Sequence, residues 1–450
     1  MELNLDKIAL EYKDEAFDLL KKLIKCESVL KEYNPKSDMP FGKGAKDALE
    51  ILLKKAKEDG FKIKNIDNYA GHISFGDGEE TLGILAHLDV VPVKLEEWNT
   101  YPFELVFKDD KMYGRGTLDD KGPLVSAYIA MKALKDLGFK PKKEIRLIAG
   151  CDEESGSRCL KHYYEYEKKP ELAFSPDAGF PLIYGEKGMM SYDIIGKLKD
   201  DVIVEFICGD RYNIVPSKAM MKINLDLKNE FYLFLKENNY NGEIKDDYYI
   251  AYGIASHAAV PEKGLNAAYI LFSFLKKYTN STLSKFIDEY FLFDVYGEKI
   301  GYKMYDEEMK DLTSNLAIVN IKDNEFKIGI NCRLPLDDGF SLIKASLDKA
   351  CKKYGYNYNV LFESPRHYVS KDSFLVKTLM NAYKEVTLDI TDAITIGGGT
   401  YARELENAVA FGPLKPNRED VCHIANEYMY IDDFIDAIKI YTKAIYDLTK

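Results

Sequence analysis

Arginine is scarce in this sequence: only eight of its 62 lysine and arginine residues are arginine, and it holds one tryptophan and six histidines. Positive charge is outweighed as well, since 74 acidic residues leave a net charge of −12. A chain this acidic is not built to neutralise a phosphate backbone, which excludes nucleic acid as an expected partner. No apolar run approaches the roughly 20 residues that span a bilayer. The N-terminal MELNLDKIALEYKDE is too acidic for a signal or transit peptide. No membrane partner is therefore expected, and the expected compartment is the cytoplasm. The seven cysteines are scattered and odd in number, and no CxxC occurs. That excludes a disulfide framework and fits a reducing compartment. The shortage of arginine also makes each one near a motif informative, because the guanidinium is the bidentate binder of carboxylates.

What is present is an ordinary globular composition, 46% hydrophobic and 30% charged, over 450 residues. That is too long for one core, so two domains are expected. The stretch from Leu82 to Pro123 organises the rest. It reads LGILAHLDVVPV, then a polar link containing Trp98, then MYGRGTLDDKGP. An apolar run reaches His87 and Asp89, whose side chains share one side because the strand period is two. Asp119 and Asp120 follow in a turn before a helix-like segment. Imidazole and carboxylate at the ends of buried strands suit a divalent metal better than a core.

Helical spacing predicts helices over 6–25, 47–59 and 432–448, and a helix from Leu124 to Gly138. FKIKNID, GHISFG, EIRLIAG and LAFSPDAG read as strands, with polar residues gathered where the strands end. This predicts an α/β class: a catalytic domain with a mixed sheet flanked by helices and its site at the carboxyl edge. After about Ile183 the runs DVIVEFI, AMMKINLDL, YYIAYGIA, NLAIVNI, KIGINCRL and YNVLFE alternate with helical patterns. The expected organisation is catalytic residues 1–183, an inserted α+β lid of two similar halves over 184–375, and catalytic residues 376–450.

His87, Asp119, Glu154, Asp177 and His423 supply two imidazoles and three carboxylates, the inventory of a co-catalytic metal pair with one bridging carboxylate. Taken singly, each has an ordinary structural reading: a core histidine, a helix N-cap, a solvated turn. Several of them follow buried strands, however, where unpaired charge is costly.

AHLDVVP, GRGTLDDKGP, DEESGS, SPDAG and SHAAVPEKGLNA, in this order and spacing, resemble the dinuclear metallopeptidases that include aminoacylases, glutamate-type zinc carboxypeptidases and dipeptidases. PFGKGAKDALE, DNYAGHI and HIANEYMYIDDF narrow the likeness to PepV-type dipeptidases. The resemblance spans nearly the whole chain. It implies that Asp119 bridges two ions, that His87 and Asp177 complete one, and that Glu154 and His423 complete the other. It also implies two divalent ions per chain, zinc foremost, with manganese or cobalt as alternatives, and a cis peptide at Asp119–Asp120. Glu153 becomes the general base, and the Asp89 carboxylate orients His87 through its ring N–H. Consecutive side chains diverge on an extended segment, which lets Glu154 bind metal while Glu153 reaches water. His257 becomes an oxyanion donor on the lid, Asn213 its neighbour, and Arg333 and the glycines Gly397, Gly398 and Gly399 a cradle for the substrate carboxylate. The length of the insert favours a monomer whose second lid half replaces a dimer partner. The implied activity is hydrolysis of short peptides with free termini. An N-acyl amino-acid deacylase or a tripeptidase is the alternative within the family. A non-catalytic protein that kept the fold is the alternative outside it, disfavoured by the intact Glu153.

Overall fold

The computed structural model describes residues 3–198 and 202–450. Asp201, at the head of the expected strand DVIVEFI, lies outside the described residues. Apolar strands and amphipathic helices alternate to build a mixed α/β fold. The chain divides into two units: Met1–Gly185, Tyr368–Ile394 and Gly399–Lys450 form the first, and Glu186–His367 with Thr395–Gly398 form the second. The insert was expected to run over 184–375; the main run of the second unit instead spans Glu186–His367. The stretch after it forms the helix Phe374–Thr387, which packs on the last helix of the first unit.

In the first unit, four strands lie parallel at the centre of the sheet, in the order Glu144–Gly150, Thr81–His87, Leu172–Ser175, Ala408–Ala410. The antiparallel pair Lys62–Ile66 and Ala70–Phe75 extends one side. The strand Thr81–His87 is buried at every position, which is why it reads as a continuous apolar run. The helix Lys121–Asp136 is nearly all buried and packs against Leu5–Ile24 and Ile431–Thr449. Lys121, at its start, is fully buried and donates to the carbonyls of Leu23 and Cys26, each at 2.9 Å, tying the end of the first helix to the start of this one. Burial lowers its ammonium to about 8.

The second unit is built on an eight-stranded antiparallel sheet. The sequence of hairpin, helix and outer strand occurs twice along it. The first run is Ile203–Cys208, Lys218–Ile223, helix Lys228–Asn238 and strand Asn241–Lys245. The second is Thr313–Lys322, Glu325–Leu334, helix Gly339–Tyr354 and strand Asn357–Ser364. Among the described residues, no helix is long and apolar enough to cross a membrane. All seven cysteines are free thiols.

Candidate metal centre

The site lies where parallel strands of the first unit end. His87 is level with Gly150 in register, so its neighbour strand delivers Glu153 and Glu154 in the next few residues. The adjoining strand Leu172–Ser175 delivers Asp177. Asp119 closes the loop before the helix Lys121–Asp136, and His423 sits on the loop before the strand Tyr428–Tyr430.

The five expected ligands come together as two clusters sharing Asp119. His87 Nε2 lies 3.0 Å from Asp119 Oδ1 and 3.4 Å from Asp177 Oδ2. His423 Nε2 lies 2.9 Å from Asp119 Oδ2 and 3.3 Å from Glu154 Oε2. In each cluster the three donor atoms fall within 4.8 Å of one another. Asp119 thus turns one oxygen to each side. The donors fit divalent cations. His87 Nε2, Asp119 Oδ1 and Glu154 Oε1 are buried without a hydrogen-bond partner among the described residues. Such atoms carry a desolvation cost that a coordinated ion removes. One imidazole with two carboxylates on each side suits zinc, manganese or cobalt.

The charges are tightly interdependent. Burial pushes the Asp119 carboxyl up, but the His423 and His87 imidazoles outweigh it and hold it below the usual carboxylate range. Asp177 and Glu154 move upward, by burial and then by the charge of Asp119. His423 is pushed up to about 11 by Asp119 and Glu154. Its backbone is left-handed, with φ at 63°, a conformation that costs a non-glycine residue about 1–3 kcal/mol. The Asp119–Asp120 peptide is cis, and Asp120 Oδ2 accepts the His87 N–H at 2.9 Å.

Two expectations are corrected. His87 Nδ1 finds its near partner in the main-chain oxygen of Asp89, at 3.0 Å, with the carboxylate oxygen at 3.5 Å. The carbonyl therefore fixes the tautomer, leaving the Nε2 lone pair for the cluster. The Asp89 carboxylate instead accepts the N–H groups of Glu153 at 3.0 Å and Glu154 at 3.1 Å. Secondly, Glu153 and Glu154 lie on a turn, closed by Gly156 N–H to Glu153 O at 3.2 Å, and not on an extended segment. One carboxylate can grip two successive N–H groups only where they converge, as in a turn, whereas in a strand they alternate. Glu153 belongs to neither cluster. Burial raises its carboxyl well above the ordinary range; His87 opposes this, while Asp177, Glu154 and Asp119 add to it.

The remaining candidates lie in the second unit, except Gly399 in the first. Ile214 pairs with His257, and Asn213 O accepts the Ala258 N–H at 2.9 Å. Thr313 Oγ1 donates to Ala258 O at 3.0 Å. Arg333 Nε donates to Asn331 Oδ1 at 2.8 Å and Nη1 to Gly397 O at 2.9 Å. A Cβ on Gly397 would sit 2.6 Å from that of Ala259, so only glycine lets these loops meet. Asn213, His257, Arg333 and Gly397 are thereby gathered, with Gly398 next along the chain.

Sequence reasoning assigned no role to Tyr401, Arg115 or Glu427. Tyr401 is buried edge-on to the His87 ring at 6.0 Å and hydrogen-bonded to Cys159 Sγ at 2.9 Å. Arg115 and Glu427 pair at 2.5 Å beside Asp119. The available signal was position: an arginine four residues before one candidate ligand and a glutamate four after another, in a chain with only eight arginines.

The family model of peptidase family M20/M25/M40 matches residues 83–447. A Staphylococcus aureus (strain MRSA252) protein named "Putative dipeptidase" is 38% identical over 462 residues, covering 97% of this chain and 98% of its own. A Staphylococcus epidermidis protein of the same name is 38% identical, covering 98% of each. The solved structure of human carnosine dipeptidase 1 superposes with a TM-score of 0.60 over 99% of both chains at 15% identity, a likeness of fold.

Proposed function

Because the chain belongs to peptidase family M20/M25/M40, we propose that it is a two-ion dipeptidase that hydrolyses dipeptides with free termini. The carrying observation is the pair of three-donor clusters that share Asp119, in a chain alike over its full length to proteins named as dipeptidases. His87, Asp119 and Asp177 would hold one ion, and Asp119, Glu154 and His423 the other. Zinc is the first candidate, with manganese and cobalt next. Bound there, the ions supply Lewis acidity toward the scissile carbonyl and lower the pKa of water.

The residues of the chain do the rest. Glu153 takes the proton from the attacking water and gives it to the leaving amine. Lying in neither donor cluster, its carboxylate is assigned no metal bond and keeps its oxygens for the proton. Asp89 holds the Glu153–Glu154 turn through its carboxylate and the His87 ring through its carbonyl. We assign His257 as donor to the developing oxyanion. Arg333, with Asn213 and the glycines 397–399, is assigned to the carboxylate end of the substrate. The second unit is read as a lid, its repeated hairpin–helix–strand order replacing a dimer partner in a monomer. Seven free thiols suit the cytoplasm as the compartment.

The test is hydrolysis of a panel of free dipeptides, tripeptides and N-acetylated dipeptides by purified protein loaded with zinc or manganese. Free dipeptides should be cleaved with the highest kcat/KM. Preference for N-acetylated substrates would move the function to deacylation, and preference for tripeptides would move it to tripeptidase activity.

A further inference from the structure

Arg115 and Glu427 form a buried ion pair, with side chains 3% and 0% exposed. Glu427 Oε2 receives Arg115 Nη1 at 2.5 Å. Its Oε1 accepts three backbone N–H groups, from Gly116 at 3.0 Å, Leu118 at 2.8 Å and Asp119 at 3.2 Å. Arg115 Nη2 donates to Ile424 O at 3.1 Å, next to His423, and its guanidinium lies over the Trp98 ring at 5.3 Å. Gly114 N–H donates back to Glu427 O at 3.1 Å. Among the described residues, every side-chain hydrogen bond of the pair goes to the two loops that carry Asp119 and His423.

Those loops have no regular structure to hold them. His87 lies on a strand laddered on both sides, and Asp177 two residues after one. The N–H groups of Leu118 and Asp119 have no such ladder, and His423 stands in a left-handed turn. A neutral acceptor would hold those N–H groups more weakly. All three converge on one oxygen, where the negative charge of a carboxylate strengthens each bond, and arginine both neutralises that charge and reaches the second loop with its other nitrogen.

We propose that Arg115 and Glu427 are positioning residues, a clamp that sets the affinity of the ion held by Asp119, Glu154 and His423. This rests on the two-ion reading above. The clamp fixes the distance between Asp119 Oδ2 and His423 Nε2, and it acts less on the other ion, because His87 and Asp177 follow from the sheet and only the shared Asp119 depends on the clamp.

The experiment is calorimetric titration of metal-free protein with zinc alone and with manganese alone. The step that His423→Ala abolishes identifies the ion in question. Glu427→Gln keeps the volume but not the ion pair and should weaken that step by about 10–100-fold, the usual effect of a partner behind a metal ligand. The other step should weaken clearly less, because it shares only Asp119 with the clamp. Arg115→Lys keeps the charge but not the fork and should weaken the same step in the same direction. It decides the question by itself if Glu427→Gln does not fold. Arg146→Met is the control, because it breaks the Arg146–Glu144 pair on the strand that leads to Glu153, at that strand's other end. Unchanged affinity at the identified step in folded variants overturns the clamp. So does an equal fall of both steps matched by Arg146→Met, since that marks general loosening. A wild-type chain that binds one ion overturns the two-ion reading, and the clamp is then judged on that ion if His423→Ala removes it and falls if it does not.

Discussion

Glu153 and Glu154 are neighbours of the same type with different assignments, so the pair of substitutions Glu153→Gln and Glu154→Gln separates base from ligand. Glu153 lies in neither donor cluster, and glutamine there removes a proton acceptor without removing a metal contact. Loss of a general base costs roughly 10²–10⁴ in rate, or about 3–5 kcal/mol of barrier. The loss should fall on kcat, with KM and both metal affinities nearly unchanged. Stability should move the opposite way from activity. Burial, with Asp177, Glu154 and Asp119, opposes a charge on Glu153, so the neutral amide should raise the Tm of the metal-free protein at neutral pH. Glu154→Gln differs because its Oε2 stands 3.3 Å from His423 Nε2, with Oε1 buried and, among the described residues, without a hydrogen-bond partner. An amide places N–H hydrogens where a lone pair is needed. The affinity of one ion should fall by more than the roughly 10–100-fold typical of partners behind the ligands. Stopped-flow turnover, elemental analysis and calorimetric titration on both variants make the comparison. Equal metal loss in the two variants, or near-normal turnover in Glu153→Gln, would refute the assignment.

Other expectations are more local. Chelated protein refilled with zinc or manganese should regain activity with two ions per chain by elemental analysis; full activity at one ion would contradict the shared role of Asp119. His257→Ala should lose turnover while sedimentation shows a monomer, and mixing it with Glu153→Ala chains should restore nothing; recovery would place the histidine in a second subunit. His72 is buried, shares a hydrogen bond between Nδ1 and the Tyr163 hydroxyl (2.7 Å), and is lowered to about 4, first by burial and then by Arg146. The unfolded imidazole, near 6.5, takes its proton first as pH falls, so this stability is present above about 6.5 and lost on the way to 4. Metal-free protein should lose about 2–3 kcal/mol more than His72→Gln between pH 7 and 4.5 in urea titrations; parallel losses would show that His72 is not the group.

The parts legible from sequence are those whose chemistry is carried by one residue at the end of a patterned element. The strand Thr81–His87 is buried throughout, so its apolar run pointed directly to His87. The repeat of that pattern before Glu153 and Asp177 gave the carboxyl edge, and with it the mixed sheet. What stayed hidden was set by partners far apart in the chain. Asp89 looked like a ring partner for His87 because the two are alternate residues, yet its carboxylate turns to the N–H groups of Glu153 and Glu154 across neighbouring strands. No periodicity encodes that choice. It follows from which buried N–H groups lack an acceptor once the sheet has formed. Glu427 is the same case: its carboxylate has no local pattern to announce it, and its role appears only when the loop ending in Asp119 presents three N–H groups to it. Turn-bound ligands such as His423 therefore depend on satisfied backbone polarity more than on strand pattern. Substitutions at those hidden acceptors should disturb the site without touching any residue that binds metal.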